Sequence, residues 1–432
     1  MNRENAIEYI SNVSWRESRL GLQRISALLQ AMEDPQKQLH FIHVAGTNGK
    51  GSVCTMLASV LTAAGYRTGL FTSPFVNCFN ERMQVDGRQI EDGELTLLTK
   101  EVQQYADAME DHPTEFELVT AIGLLYFKRR ECDLVVLEVG LGGRLDATNV
   151  IPPPLLAVIT SIGLDHTAEL GDSLWDIAAE KGGIIKPGSE VVLAPQQPLV
   201  EKAMDEICRQ NEVPLHRTDF GLLEAEDTAL EGQYFSWGEY RRLHLPLFGA
   251  FQLPNAATVL TALEVLAHKG FPVDETALRK GLGSVRWPAR LELLAREPVF
   301  LLDGGHNEQA VNALAESLES YYPGAKWHFL VGVMADKAWK NMLETVYPLA
   351  QGFLCVTPDT PRALSAEVLA TWLRSQGTVP VETCPSVRKG VEALLEEAGA
   401  EGLACAFGSL YMAGEIRAYF GLGTGGEKDV FV

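Results

Sequence analysis

Apolar positions near the start of the chain switch between two spacings. Phe41-Ile42-His43-Val44 is a short continuous apolar run, the pattern of a buried strand, whereas Val53, Met56, Leu57, Val60, Leu61 and Ala64 recur at steps of three and four and mark one face of a helix. Between them lies Gly46-Thr47-Asn48-Gly49-Lys50-Gly51-Ser52. Upstream, residues 1–38 hold two helical stretches, the second carrying Leu22, Ile25, Leu28 and Leu29 on one face. Downstream, Arg67–Phe71 reads as a second strand, stopped by Thr72-Ser73-Pro74. Cys132–Val139 and Leu155–Thr160 have the continuous apolar character of strands buried on both faces.

A helix follows from about Ser173 to Lys181, ended by Gly182-Gly183. Residues 217–247 change character: Gln233–Trp237 and Tyr240–Leu245 flank Gly238-Glu239 as a two-residue-turn hairpin. A further helix begins at Asn255, with Val259, Leu260, Leu263 and Leu266 on its apolar face, and its pattern fades at Gly283–Pro288. Beyond that point, apolar runs at 299–303, 327–333, 352–356 and 403–407 alternate with helical stretches, which predicts a second parallel α/β unit. The expectation is an α/β protein of two domains, 1–286 with a phosphate loop and a parallel sheet, and 287–432.

Length and composition narrow the class. The chain has 432 residues, long for one domain, with 46% hydrophobic and 22% charged residues and no apolar run near the ~18 that a membrane span needs. Its formal charge of -21 argues against nucleic-acid binding, which depends on clustered cations. Anionic substrates would need local cations, so Lys50, Arg82, Arg290 and Lys337 gain interest. Seven cysteines without a Cys-x-x-Cys pair read as core residues of a reducing compartment, and the N-terminus lacks a secretory pattern, so a cytoplasmic location is expected.

The glycine-rich turn between strand and helix is a phosphate cradle: free N–H groups at the helix start face the anion and Lys50 adds a point charge. Its spelling departs from the usual phosphate loop, with two residues before Gly49-Lys50 and Gly51 ahead of Ser52. Ser73, Glu138, Asp165 and His166 all fall at or just past predicted strand ends, the edge at which open parallel sheets bind ligands. Glu138 within an apolar run is costly unless paired or metal-bound. Lys181 also reads simply as a last-turn cation, and Asn255 as a helix N-cap. In the second unit, strands run into Asp303-Gly304-Gly305-His306-Asn307, Met334-Ala335-Asp336-Lys337 and Gly408-Ser409-Leu410-Tyr411.

Taken in order, these segments resemble folylpolyglutamate synthase and dihydrofolate synthase, members of the ATP-dependent amide ligases that include the Mur enzymes. The resemblance extends over Gly21–Ile25, Gly46–Ser52, Thr72–Pro74, Glu81-Arg82, Glu138–Gly143, Ser161–His166, Glu180–Ile184, Trp287–Glu292 and Asp303–Asn307. It implies a P-loop-type Mur-like central domain and a Rossmann-like glutamate-ligase domain. It also implies that ATP turns a folate-type carboxylate into an acyl phosphate, which the amine of L-glutamate then attacks.

On this resemblance Gly46, Thr47, Asn48, Gly49, Lys50, Gly51, Ser52, Asn255, Arg290 and Asp303 contact ATP. Ser73 and Glu138 hold one Mg2+. His166, Glu138 and a carbamylated Lys181 hold a second, since a carbamate offers the oxygens magnesium prefers. Lys50, His166 and Lys181 are then catalytic. Arg82, Thr120, Asp146 and Ala147 would contact the pterin-bearing substrate, dihydropteroate or a reduced folate, and His306, Ser409 and Lys337 the glutamate. A potassium ion is left open, and a monomer without nucleic-acid or membrane partners is expected.

Departures from the family pattern are Phe75 for histidine, Pro288-Ala289-Arg290 for Pro-Gly-Arg, Gly305 for alanine, and Ala250-Phe251-Gln252 before the Asn255 helix. Ala147, serine in some polyglutamate-only relatives, favours a bifunctional enzyme. A polyglutamate synthase alone, a ligase for another acyl acceptor, and a nucleotide-dependent binding protein without ligase activity are the alternatives.

Overall fold

The computed structural model describes residues 2–11, 19–229 and 232–423. Its first sheet comprises β1 (Phe41–Ala45), β2 (Thr68–Phe71), β3 (Met83–Val85), β4 (Arg88–Gln89), β5 (Leu134–Glu138), β6 (Leu156–Ile159), β7 (Glu190–Leu193) and β8 (Leu215–Arg217). They lie in the order β4-β3-β2-β5-β1-β6-β7-β8, parallel from β2 to β8, with β3 and β4 as an antiparallel ribbon at one edge. β1 and β5 are buried at every position, which is why both read as continuous apolar runs. The helix Lys50–Ala63 is buried on nearly all sides because the sheet covers one face and the helices Gln252–His268 and Glu275–Gly283 cover the other.

That crowding sets a tolerance. A Cβ on Gly281 would stand 2.4 Å from the Cα of Val60, a backbone atom that cannot rotate away. Gly281→Ala is therefore expected to cost about 1–3 kcal/mol, read as a lower thermal-unfolding midpoint, with the catalytic rate at 25 °C nearly unchanged.

The hairpin predicted from 233–245 is present as β10 (Gly232–Trp237) and β11 (Tyr240–Leu245), joined by a further strand, β9 (Leu223–Ala229), in a three-stranded antiparallel sheet. The last sheet contains β12 (Glu292–Arg296), β13 (Val299–Leu302), β14 (Trp327–Val331), β15 (Ala350–Cys355), β16 (Val381–Thr383) and β17 (Leu403–Phe407), in the order β12-β13-β17-β14-β15-β16. All its pairings are parallel except β12 with β13. Both large sheets turn their carboxyl edges toward a shared cleft. Each of the seven cysteines is a free thiol, and no described helix is long and apolar enough to cross a membrane.

Candidate active site

The loop leaving β1 is clamped to the end of β6. Thr47 donates its N–H to Ser161 O at 2.8 Å, and Thr160 Oγ1 donates to Asn48 O at 2.7 Å. Gly49 takes φ +85°, a left-handed turn that favours glycine, and starts the helix Lys50–Ala63 without a side-chain cap. The first helical N–H groups are thereby left for an anion. Lys50 Nζ folds back on the carbonyls of Gly46 and Thr47, at 3.0 and 3.1 Å, and burial pushes its ammonium below the usual lysine range.

Lys181 approaches the same carbonyl. It occupies the last turn of the helix Leu174–Gly182, is buried, and donates to Gly46 O at 2.8 Å. Burial first, and the neighbouring Lys50 ammonium second, push it down to about 7. An amine with that property is substantially neutral at physiological pH and hence nucleophilic.

Glu138 closes the other side. It ends β5 opposite Val44, and its Oε2 accepts the Ser73 N–H at 3.0 Å, leaving Oε1 without a donor among the described residues. Burial raises its carboxyl pKa, while Lys50, the Ser73 amide and Arg290 hold it down. His166 follows Asp165 at φ +51°, with a partly exposed ring whose pKa burial lowers.

The second sheet contributes from across the cleft. Asp303 directly follows β13 and accepts the N–H groups of Leu291 at 2.8 Å and Gly305 at 2.7 Å, and burial raises its carboxyl. His306 meets Gly304 O through Nδ1 at 3.0 Å, and burial pushes its imidazole down to about 4, so it is neutral. These groups, with Ser73, Asn255 and Arg290, line one cavity of about 400 Å³ together with Lys50, Glu138, His166 and Lys181.

Other predicted residues stand off its wall. Arg82 is held over the Phe75 and Phe79 rings at 5.2 and 5.4 Å, and its buried Nε has no hydrogen-bond partner among the described residues. Thr120 bonds Phe116 O at 2.8 Å. Asp146 caps the turn Ala147–Val150 and accepts from Leu141 N at 2.8 Å, and Ser409 accepts from Tyr411 N at 3.1 Å. Lys337 pairs with Asp165 at 2.6 Å, an interdomain contact in which both side chains are largely buried. Although burial alone would raise the Asp165 carboxyl, Lys337 holds it well below the carboxylate range. Asn255 is not an N-cap: its helix starts at Gln252, and Asn255 sits in the first turn with Nδ2 3.0 Å from Gln252 Oε1.

Sequence reasoning missed the polar bridge between the two domains. Asn307 donates to Asn48 Oδ1 at 3.1 Å and to Asp165 Oδ2 at 3.0 Å, and Gln309 donates to Ser161 Oγ at 2.6 Å. The available signal was polar residues directly past strand ends in both halves of the chain.

The comparisons agree with this geometry. Residues 44–263 match the Mur ligase middle domain, and residues 289–410 the glutamate ligase domain of the Mur ligases. A phosphate loop facing a glutamate-ligase domain across a cleft defines an ATP-dependent amide ligase of the Mur class.

Within that class, the dihydrofolate synthase/folylpolyglutamate synthase of Bacillus subtilis is 36% identical, with 94% of this chain and 97% of that protein aligned. The folylpolyglutamate synthase of Lacticaseibacillus casei is 36% identical over 84% of this chain and 87% of its own. A Mycobacterium tuberculosis folylpolyglutamate synthase solved with ADP and AMPPCP superposes with a TM-score of 0.88 at 30% identity, covering 97% and 99% of the two chains. The chain belongs to the folylpolyglutamate synthase/dihydrofolate synthase family.

Proposed function

We propose that this enzyme joins L-glutamate both to dihydropteroate and to reduced folates, in each case consuming ATP through an acyl phosphate. The observation that carries the reading is the convergence of Lys50, Lys181, Ser73 and Glu138 from the first domain with Arg290, Asp303 and His306 from the second on one cavity. A carboxylate resists amine attack because its leaving group would be oxide, so phosphorylation must precede it. The protein then has to shield phosphate charge and hold two anions in line.

In this reading Gly46–Ser52 and Lys50 cradle the β- and γ-phosphates, and Asn255, Arg290 and Asp303 hold the rest of the nucleotide. Arg82, with its unpartnered buried nitrogen, Thr120, Asp146 and Ala147 serve the pterin side. His306 and Ser409 serve the incoming glutamate, with Lys337 released from Asp165 to join them. We place the domain division at 286/287.

The residues present fit magnesium. Among the described residues no three His, Cys, Asp or Glu side chains form a ready-made cage, but Ser73 and Glu138 touch and Glu138 Oε1 is open. A Lys181 carbamate would add oxygens beside His166. Bound Mg2+ would neutralise phosphate charge and orient the transferring group. Lys181, once carbamylated, keeps an N–H for the Gly46 carbonyl and turns a like-charge neighbour of Lys50 into an opposite one. The amine of L-glutamate attacks only after its ammonium has lost a proton, and neutral His306, with Nδ1 engaged by Gly304 O, offers Nε2 as an acceptor that orients that amine.

The test is ADP release by the purified protein with Mg-ATP and L-glutamate, offering dihydropteroate and a reduced folate separately and weighing each product. Both substrates should turn over, each gaining one glutamyl residue. Turnover of reduced folate alone would make it a polyglutamate synthase and remove the argument from Ala147.

A further inference from the structure

Arg417 lies in the helix Ala413–Tyr419 of the second domain with 7% of its side chain exposed, and no part of the chemistry above uses it. Its Nε stands 3.1 and 3.0 Å from the two carboxylate oxygens of Glu292. Its Nη1 donates to Asn77 Oδ1 of the first domain at 2.7 Å. One guanidinium thus joins a loop of the first domain to the start of a strand in the second.

Asn77 belongs to the loop that leaves Ser73 and returns to Arg82. Glu81 fastens it there, accepting from the Asn77 N–H at 3.1 Å and from Asn77 Nδ2 at 2.6 Å, so the side-chain oxygen is turned outward to Arg417. The helix bearing Arg417 rests on this loop closely enough that a Cβ on Gly414 would stand 2.5 Å from Val76 O.

Glu292, at the other end, opens β12 and accepts the Ala289 N–H at 2.8 Å through Oε2. Ala289 and Leu291 are fully buried and adopt φ +54° and +48°, a region that residues with a Cβ enter only when their surroundings hold them. Arg290 stands between them and reaches the nucleotide cavity. Its pose thus depends on the fixings of its two neighbours: Ala289 through Glu292 and Gly304, and Leu291 through Asp303.

We propose that Arg417 is a positioning residue that couples occupancy of the acyl-substrate loop Ser73–Arg82 to the placement of Arg290 against ATP, through Asn77 on one side and Glu292 on the other. This rests on the ligase reading above for the identity of the two ligands. A ligand that draws the loop in pulls on Asn77, and the guanidinium transmits that to the strained linker. The Arg417–Glu292 pair lies within the second domain and is largely shielded from water, and only its hydrogen bond to Asn77 crosses to the first, so its rearrangement is not masked by solvent. Linkage requires the converse, that ATP tightens acyl-substrate binding by the same factor.

The test is the affinity of the full-length protein for a non-hydrolysable ATP analogue with Mg2+, measured with and without saturating dihydropteroate. The wild-type ratio is expected to be about tenfold or more. Arg417→Met should bring it to within about twofold of unity, Arg417→Lys should fall between, and Asn77→Ala should match Arg417→Met.

In the double variant no further loss is expected, because both substitutions cut one connection; additive losses would overturn the proposal. So would a wild-type ratio of one, or an Arg417→Met protein that loses analogue affinity equally in both conditions, which is the mark of a merely structural role. Asn77→Ala carries the test if Arg417→Met does not fold. The ratio is read without turnover, so a wild-type protein that couples the two ligands but forms no glutamyl product refutes the ligase reading and leaves this one standing. Normal ligation with an unchanged ratio in both variants does the reverse.

Discussion

Lys181→Ala is expected to lower glutamate-dependent ADP release by about three orders of magnitude, the range seen when a preorganised electrostatic group is deleted from an active site. Formate or acetate should restore part of the rate by supplying carboxylate oxygens in the vacated space. The physical case begins with cost. A buried ammonium sharing the Gly46 carbonyl with a second lysine is an unfavourable arrangement, and the drop of its pKa from 10.5 to about 7 expresses that.

Capture of CO2 by the neutral amine, with release of a proton, would place an anion beside the Lys50 ammonium where a second cation would otherwise stand. The sign with pH follows. The unfolded chain binds this proton up to about 10.5 and the uncarbamylated folded protein only up to about 7, so this group's contribution to stability rises with pH between those values. Below about 7 the amine is protonated and cannot hold CO2. Mass spectrometry of the native protein should show the added CO2 at pH 8 and its loss at pH 6 in degassed buffer. Full activity of Lys181→Ala, with no response to short-chain acids, would remove the carbamate from the mechanism.

The parts of the fold that were legible in the sequence are those whose burial is uniform. β1, β5 and β6 are enclosed on both faces and announce themselves as apolar runs, and the alternation of β13, β14, β15 and β17 with helices is equally plain. β9 left no such trace, because nearly all its residues are exposed and among the described strands it pairs only with β10. β12 is half-buried, and β4 and β16 are two and three residues long, too short for a period to show.

The site divides in the same way. Residues at strand ends, such as Glu138, His166 and Asp303, could be placed on an edge from the sequence. Which of them faces the cavity depends on how two sheets meet, and that is long-range information. Lys337 shows the limit: its position past β14 suggested a substrate cation, yet in this structure Asp165 of the other domain occupies it. Asn255 shows another, since Gln252, Leu253 and Pro254 extend the helix backward past the residue that seemed to begin it.

Lys50→Met should reduce kcat/KM for ATP by roughly two to three orders of magnitude while leaving the acyl-substrate KM within a few-fold of wild type. The ammonium reaches from the first turn of its helix to the carbonyls of Gly46 and Thr47 with Glu138 close enough to stabilise its charge, so it is already placed where phosphate oxygens would arrive. Methionine preserves the stem and its packing, and the fold should survive.

The same substitution has a second consequence that a simple phosphate contact would not produce. Lys50 is one reason the Lys181 ammonium is pushed down, so removing it should raise the Lys181 pKa and leave less neutral amine at pH 7. The CO2 adduct on Lys181 should therefore shrink in Lys50→Met at neutral pH and return as the pH is raised. If the adduct is unchanged while ATP use collapses, the two lysines act independently. If both fall together, the phosphate loop and the carbamate form one electrostatic unit, and the charge of Lys50 serves the nucleotide and the chemistry of Lys181 at once.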